Sequence, residues 1–179
     1  MAIRTILTYP HPVLRQKAQP VTVFDDKLKE LVADMGETMF AAPGVGLAAN
    51  QIGLPIQVVV VDYTTADGKA VLPLINPVLS GGEGEVVDDE GCLSVREYQA
   101  RVKRFFKIHV KAQDVEGRPL EFDADDRFAR IIQHEVDHLS GTLFLDHLSS
   151  LKRALYKKKL KKLLAQDAED ARDETQSAA

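Results

Sequence analysis

The sequence predicts an α+β fold, with mostly antiparallel β-sheets packed around one central helix that carries an H-E-x-x-H motif, an N-terminal helix and a basic C-terminal helix. Two observations lead there. Helical periodicity occurs once near the start and twice near the end, and the stretch between holds short β-branched or alternating runs separated by turn residues. With 179 residues, 45% of them hydrophobic, the chain has material for one ordinary core. A single domain over residues 1–166 is expected, with 167–179 as a disordered acidic tail. No repeat is evident.

Asp25 is a suitable N-cap, and Leu28, Leu31, Val32, Met35 and Met39 follow at helical spacing, so a helix is expected over 26–40 with its methionines in the core. Residues 57–62 form an apolar β-branched run. Residues 72–79 form another, whose prolines favour an edge or irregular strand. Over 102–112 the pattern alternates, with Val102, Phe106, Ile108, Val110 and Ala112 on one face. His109 lies on the other face among lysines, as a solvated strand residue. Val115-Glu116-Gly117-Arg118 reads as a turn into a short strand at 120–122. A helix over 125–139 comes next, with Gly141 as its stop signal.

That helix contains Gln133-His134-Glu135-Val136-Asp137-His138-Leu139. Residues four apart differ by only about 40° around a helix axis, so His134 and His138 stack one turn apart and can pinch one metal ion. Glu135 is rotated about 100° from His134, beside a metal rather than on it, where a proton-handling carboxylate belongs when water is the nucleophile. Phe128, Ile131, Ile132 and Leu139 border the histidines, with Arg130, Gln133 and Asp137 across the helix.

A catalytic site of this kind needs a third protein ligand and one open position. In one class of metalloprotease the motif extends to H-E-x-x-H-x-x-G-x-x-H; Gly141 fits it, but Phe144 stands where the third histidine belongs. The first glutamate after the motif is Glu169, in a polar tail. Cys92, the sole cysteine, is the remaining candidate, against two other readings: a small buried apolar residue or a nucleophile. The ligand reading alone gives H-E-x-x-H a purpose, and a Cys-His-His set suits Zn²⁺ or Fe²⁺ better than Mg²⁺ or Ca²⁺. The Gly44-Val45-Gly46 segment lets backbone turn sharply or approach a ligand closely, but lacks the residues of a phosphate loop or dinucleotide fingerprint.

Three islands in order, Gly44-Val45-Gly46-Leu47-Ala48-Ala49-Asn50-Gln51, Glu90-Gly91-Cys92-Leu93-Ser94 and Gln133-His134-Glu135-Val136-Asp137-His138-Leu139, resemble the three signature motifs of peptide deformylases. Tyr9-Pro10-His11-Pro12-Val13-Leu14-Arg15 resembles that family's N-terminal segment, so the likeness runs from about residue 4 to about residue 165. The resemblance implies the same α+β fold. It implies that Cys92, His134 and His138 hold one divalent ion, Fe²⁺ or Zn²⁺. Glu135 would handle the proton, and the Gln51 amide and the Leu93 backbone N–H would meet the oxyanion. The implied reaction removes the formyl group from the N-formylmethionine of newly made polypeptides and yields formate. Backbone groups at Val45, Gly46 and Gly91 would pair with the extended peptide, and Val45 and Ile131 would wall a pocket for methionine. The chain departs from the family pattern at Arg96, where proline is common, and near Gln99, where a basic residue is common, which bears on residues downstream of methionine.

Over 151–164, seven Lys and Arg residues alternate with Leu151, Leu155, Leu160, Leu163 and Leu164, giving a basic amphipathic helix. Either its leucines dock on the domain, or its basic face meets ribosomal RNA or protein near emerging chains. The net charge of -4 gives no global attraction to nucleic acid, and direct DNA binding is not expected. No segment approaches the ~20 apolar residues of a membrane span and no leader pattern opens the chain, so a cytoplasmic protein without membrane contact is expected. Two alternatives remain open: an H-E-x-x-H metalloprotease, and a ribosome-associated binding module whose structural zinc recruits His147 as a fourth ligand.

Overall fold

The computed structural model describes residues 2–66 and 68–177, with residues 173–177 described by backbone alone. The chain divides into two compact units, Met1–Phe144 and Leu145–Ala179, and the candidate catalytic, substrate and Cys-His-His residues all lie in the first, with His147 in the second. The domain end expected at 166 falls inside a helix of the second unit.

In the first unit, α1 (Asp26–Ala41) starts as its sequence dictates, with the Asp25 carboxylate accepting the Leu28 N–H at 3.1 Å. Seven strands follow: β1 (Gly46–Ala48), β2 (Val58–Asp62), β3 (Val71–Glu83), β4 (Val86–Cys92), β5 (Val95–Arg104), β6 (Lys107–Gln113) and β7 (Pro119–Asp125). Helix α2 (Asp126–Leu139) closes the series. The order β1-β2-β3-β6-β7 forms one antiparallel sheet, and β4 and β5 form a separate hairpin.

Strand β2 lies between two cores. Val58 and Val60 pack with Leu28, Met35 and Met39 of α1, while Val59 and Val61 pack with Ala129, Ile132 and Leu139 of α2. Burial on both faces is why 58–61 is an unbroken valine run with no polar alternation. Each such side chain contributes about 1.5–3 kcal/mol by leaving water. Beyond α2, Gly141 adopts φ +72°, and a Cβ there would sit 2.5 Å from the Arg15 carbonyl oxygen. Both constraints require glycine.

Two expectations are corrected. The alternating run 102–112 is two strands, β5 and β6, in different sheets, and Phe106 lies in the link between them at 45% exposure. Of the two readings of 72–79, the irregular strand holds and the edge does not: β3 is central, with register shifts against β6. Its prolines are tolerated because Pro73 precedes the stretch paired to β6, and Pro77 sits in the register shift between Ile75 and Val78. On α2, Gln133 is buried across the helix from the histidines, its amide bonded to both the N–H and C=O of Phe105.

The second unit is built on α3 (Ser150–Ser177). The basic stretch is helical as expected. The acidic segment, expected to be disordered, continues the same helix to Ser177, since Ala165, Gln166, Ala168, Glu169 and Ala171 all favour helix. Residues 178 and 179 of that segment lie outside the described residues. Leu160 is buried, whereas Leu151, Leu155 and Leu164 are exposed. Among the described residues no helix is long and apolar enough to cross a membrane.

Candidate metal centre

Helix α2 brings His134 and His138 one turn apart, their ring centroids 5.1 Å from each other and edge-on. Cys92, at the end of β4, meets them from the hairpin, with Sγ 3.3 Å from His138 Nε2. One ligand atom from each of the three lies within 4.8 Å of the others, and among the described residues this is the one group of His, Cys, Asp and Glu able to hold a metal. His147 is not part of it. The sulfur also accepts the Ser94 N–H at 3.4 Å and faces the Gln51 amide nitrogen at 3.6 Å.

A layer of charge behind the ligands fixes them. Glu90 Oε2 lies 2.9 Å from His134 Nδ1, which leaves Nε2 as the nitrogen free to bind a cation. Arg104 in turn donates to both Glu90 oxygens, at 2.8 and 3.0 Å, and to Asp137 at 2.6 Å. Phe144 is buried and stacks on His134 at 6.1 Å, so the position that a three-histidine protease would use for a ligand here walls the imidazole. Glu90 and Arg104 received no role from sequence. The available signal was strand alternation, since Glu90 stands two residues before Cys92; Arg104 was hidden by the misread run 102–112.

Burial opposes ionisation of Glu90, but hydrogen bonds from His134 and Arg104 and the Arg104 charge outweigh it and hold the carboxyl at about 2. Burial also works against a charge on His134, yet its contacts with Cys92 and Glu90 raise its pKa well above the ordinary value. His138 is pushed down to about 3 by burial and by the neighbouring His134 charge. A divalent cation would therefore displace a proton from His134 and find His138 already neutral, so cation affinity falls as pH falls. The donors fit such an ion: one sulfur, two imidazoles, of which Glu90 fixes the tautomer of His134, and a cleft on the fourth side.

Glu135 is the side chain beside the ligands, 5% exposed, with Oε2 lacking a hydrogen-bond partner. Burial raises it to about 7, against the pull of the His134 charge. A bound cation would pull the same way as His134. Gly46 of β1 lies flat against this carboxylate, where a Cβ would come 2.5 Å from Oε1.

Gln51 sits in a 3-10 turn, Ala49–Ile52, and is buried. Its Oε1 accepts the Ala48 N–H at 2.8 Å and its Nε2 donates to Ser94 Oγ at 3.1 Å, so the amide is locked with its N–H₂ toward Cys92. A cleft of about 900 Å³ opens over this group. It is lined by Val45, Gly46, Gln51, Gly91, Cys92, Leu93, Ile131, His134 and Glu135, which are all the sequence-predicted site residues except the deeper His138. β1 ends the five-stranded sheet and Gly91 belongs to β4 of the hairpin, so backbone from two sheets borders one cleft.

A profile of the polypeptide deformylase family matches residues 3–154. Among curated relatives, the peptide deformylase of Desulfotalea psychrophila is 54% identical over 164 residues, covering 90% of this chain and 97% of that protein. That of Syntrophobacter fumaroxidans is 46% identical, covering 92% and 97%. The crystal structure of a peptide deformylase from Legionella pneumophila superposes with a TM-score of 0.86 at 43% identity, over 93% of this chain and 98% of that one. With the family profile, the sequence identity and the α+β frame matching over most of its length, this chain belongs to the polypeptide deformylase family.

Proposed function

We propose that the chain removes the formyl group of N-formylmethionyl peptides in the cleft over Cys92, His134 and His138. The observation that carries this is the convergence of those three donors beside a buried carboxylate, Glu135, with an unpartnered oxygen. A divalent cation held by the three would supply Lewis acidity, activating water and polarising the formyl carbonyl. Glu135 accepts the proton of the attacking water and delivers it to the departing amine, which frees the peptide N-terminus and releases formate. The Gln51 amide, oriented by Ala48, and the Leu93 N–H supply dipoles to the developing oxyanion. Backbone at Val45, Gly46 and Gly91 offers an extended peptide hydrogen bonds between two sheets, and Val45 and Ile131 give the methionine side chain apolar walls.

Formate release from formyl-Met-Ala, measured beside cleavage of an internally scissile peptide, tests the reading; cleavage of the second substrate without formate from the first would return the protease alternative. Gly46→Ala provides a steric check. Its methyl group would have to displace Glu135, so formate release should fall roughly 10²-fold at unchanged cation content. Full activity in that variant would contradict the placement of Glu135.

Cysteine and histidine serve Zn²⁺ and Fe²⁺ alike. Rapid loss of activity in air, with oxidation of Cys92, would assign iron, and persistence in air would assign zinc. The basic half of α3 would carry the enzyme to ribosomes in the cytoplasm, where formylated chains emerge. Deleting residues 151–179 should then abolish co-sedimentation with ribosomes at low salt, and retained co-sedimentation would refute that role.

A further inference from the structure

Phe105 stands in the link between β5 and β6, outside both sheets, so its backbone N–H and C=O have no ladder to join. One side chain satisfies them. Gln133 Oε1 accepts the Phe105 N–H at 3.1 Å, while Gln133 Nε2 donates to the Phe105 carbonyl at 2.9 Å and to the Ala129 carbonyl, one turn back on α2, at 3.0 Å. Both amide hydrogens and the amide oxygen of this buried side chain are thereby engaged with backbone.

The residue before the clamp is Arg104, which closes β5 opposite Val86 in the last pair of a two-stranded ribbon that shares no ladder with the larger sheet. Such ends fray unless something outside the ribbon holds them. The Arg104 guanidinium reaches Glu90 at 2.8 and 3.0 Å, and Glu90 meets His134 Nδ1 at 2.9 Å. Gln133 and His134 are neighbours on α2, so these contacts run from α2 to β5, on to β4 and back to α2 as a closed ring. We propose that Gln133 is a positioning residue: by clamping the Phe105 backbone it sets Arg104 against Glu90, and through Glu90 it fixes the His134 imidazole toward the cation. This assignment rests on the reading that Cys92, His134 and His138 hold a divalent ion. The clamp is neutral, unlike the ionic contacts of the same ring, so what it contributes is geometry. The Phe105 ring takes no part, being 50% exposed while its backbone is held.

Binding of Co²⁺ to Gln133→Met tests this, because methionine keeps the volume and removes all three bonds. The link keeps a second tie in that variant, since the Asp126 N–H donates to the Phe106 carbonyl at 2.8 Å. Affinity, read by competition with a chelator, should fall about tenfold, and the visible d–d spectrum of the cobalt-loaded chain should change as the His134 nitrogen shifts. In a Glu90→Gln background the same replacement should alter affinity by less than about twofold, because its route to His134 is already cut. Phe105→Ala should match the parent in both readouts. If Gln133→Met does not fold, Gln133→Asn, whose amide is too short to span both Phe105 groups, carries the same comparison. Weaker resistance to denaturant with parental Co²⁺ affinity and spectrum would make the clamp merely structural and overturn the proposal. An affinity loss as large in Glu90→Gln as in the parent would overturn it too. A parent chain that does not bind Co²⁺ at all would instead remove the cation reading, and this assignment with it.

Discussion

Replacing Glu135 with Gln is expected to cut formate release from formyl-Met-Ala by roughly 10²–10⁴-fold while leaving the bound cation in place. Gln fills nearly the same volume in a site that is 5% exposed, so packing against Gly46 changes little. What it lacks is a basic oxygen. Because the side chain points beside the ligands rather than among them, His134, His138 and Cys92 keep their positions, and cation content should match that of the parent protein. Single-turnover kinetics with metal analysis on the same samples checks both halves of this expectation. Parallel loss of cation and turnover would instead make Glu135 a ligand, and undiminished turnover would remove it from proton transfer.

The second large effect is expected at Arg104, which is 6% exposed and joins β5 to Glu90 and Asp137. Arg104→Met should destabilise the fold by about 3–5 kcal/mol, since it strands the buried Glu90 carboxylate without its partner, whereas an apolar replacement of the whole cluster would cost much less. For a chain of this size that is a fall of roughly 10 °C in melting temperature. Cation affinity should drop about 10- to 100-fold as well, because Glu90 is what holds the His134 ring. The same cluster sets an acid limit. The Glu90 carboxyl lies at about 2 in the folded chain against an ordinary 4.5, so the folded state binds fewer protons. Its stabilisation, about 3 kcal/mol, is complete above pH 4.5 and is lost as pH falls through about 2. Denaturant titrations between those limits should show a steep decline in the parent protein and a shallower one in Glu90→Gln.

The chemistry was legible in the sequence to the extent that it depended on helical spacing. H-E-x-x-H fixes two imidazoles on one face by geometry alone, and the absence of any other suitable donor left Cys92, forty residues away, as the third. Elements with strong local signals were also legible: α1 through Asp25 and its methionines, and the end of α2 through Gly141. Features set by tertiary context were not. The run 102–112 alternates on paper, yet Phe105 and Phe106 form a link because the β4–β5 hairpin must reach over α2, and period alone cannot see a change of sheet. Pro73 and Pro77 suggested an edge or an irregular strand, and β3 is irregular but central, because where a second neighbour begins to pair decides whether a proline costs a ladder bond. Glu90 and Arg104 stayed silent for a related reason: buried carboxylates and guanidinium groups in a strand look like a solvated face until their partners are known. The helical continuation past Leu164 was missed because acidic composition was weighed above the helix preference of its alanines.

The proposed reaction requires that Cys92, His134 and His138 hold one cation. The most direct test is metal content and formate release, measured together on protein purified without oxygen, for the parent chain and for His138→Ala. One divalent ion per chain, lost in the variant along with formate release, is the predicted result. Formate release that continues undiminished after the ion has been removed would contradict it.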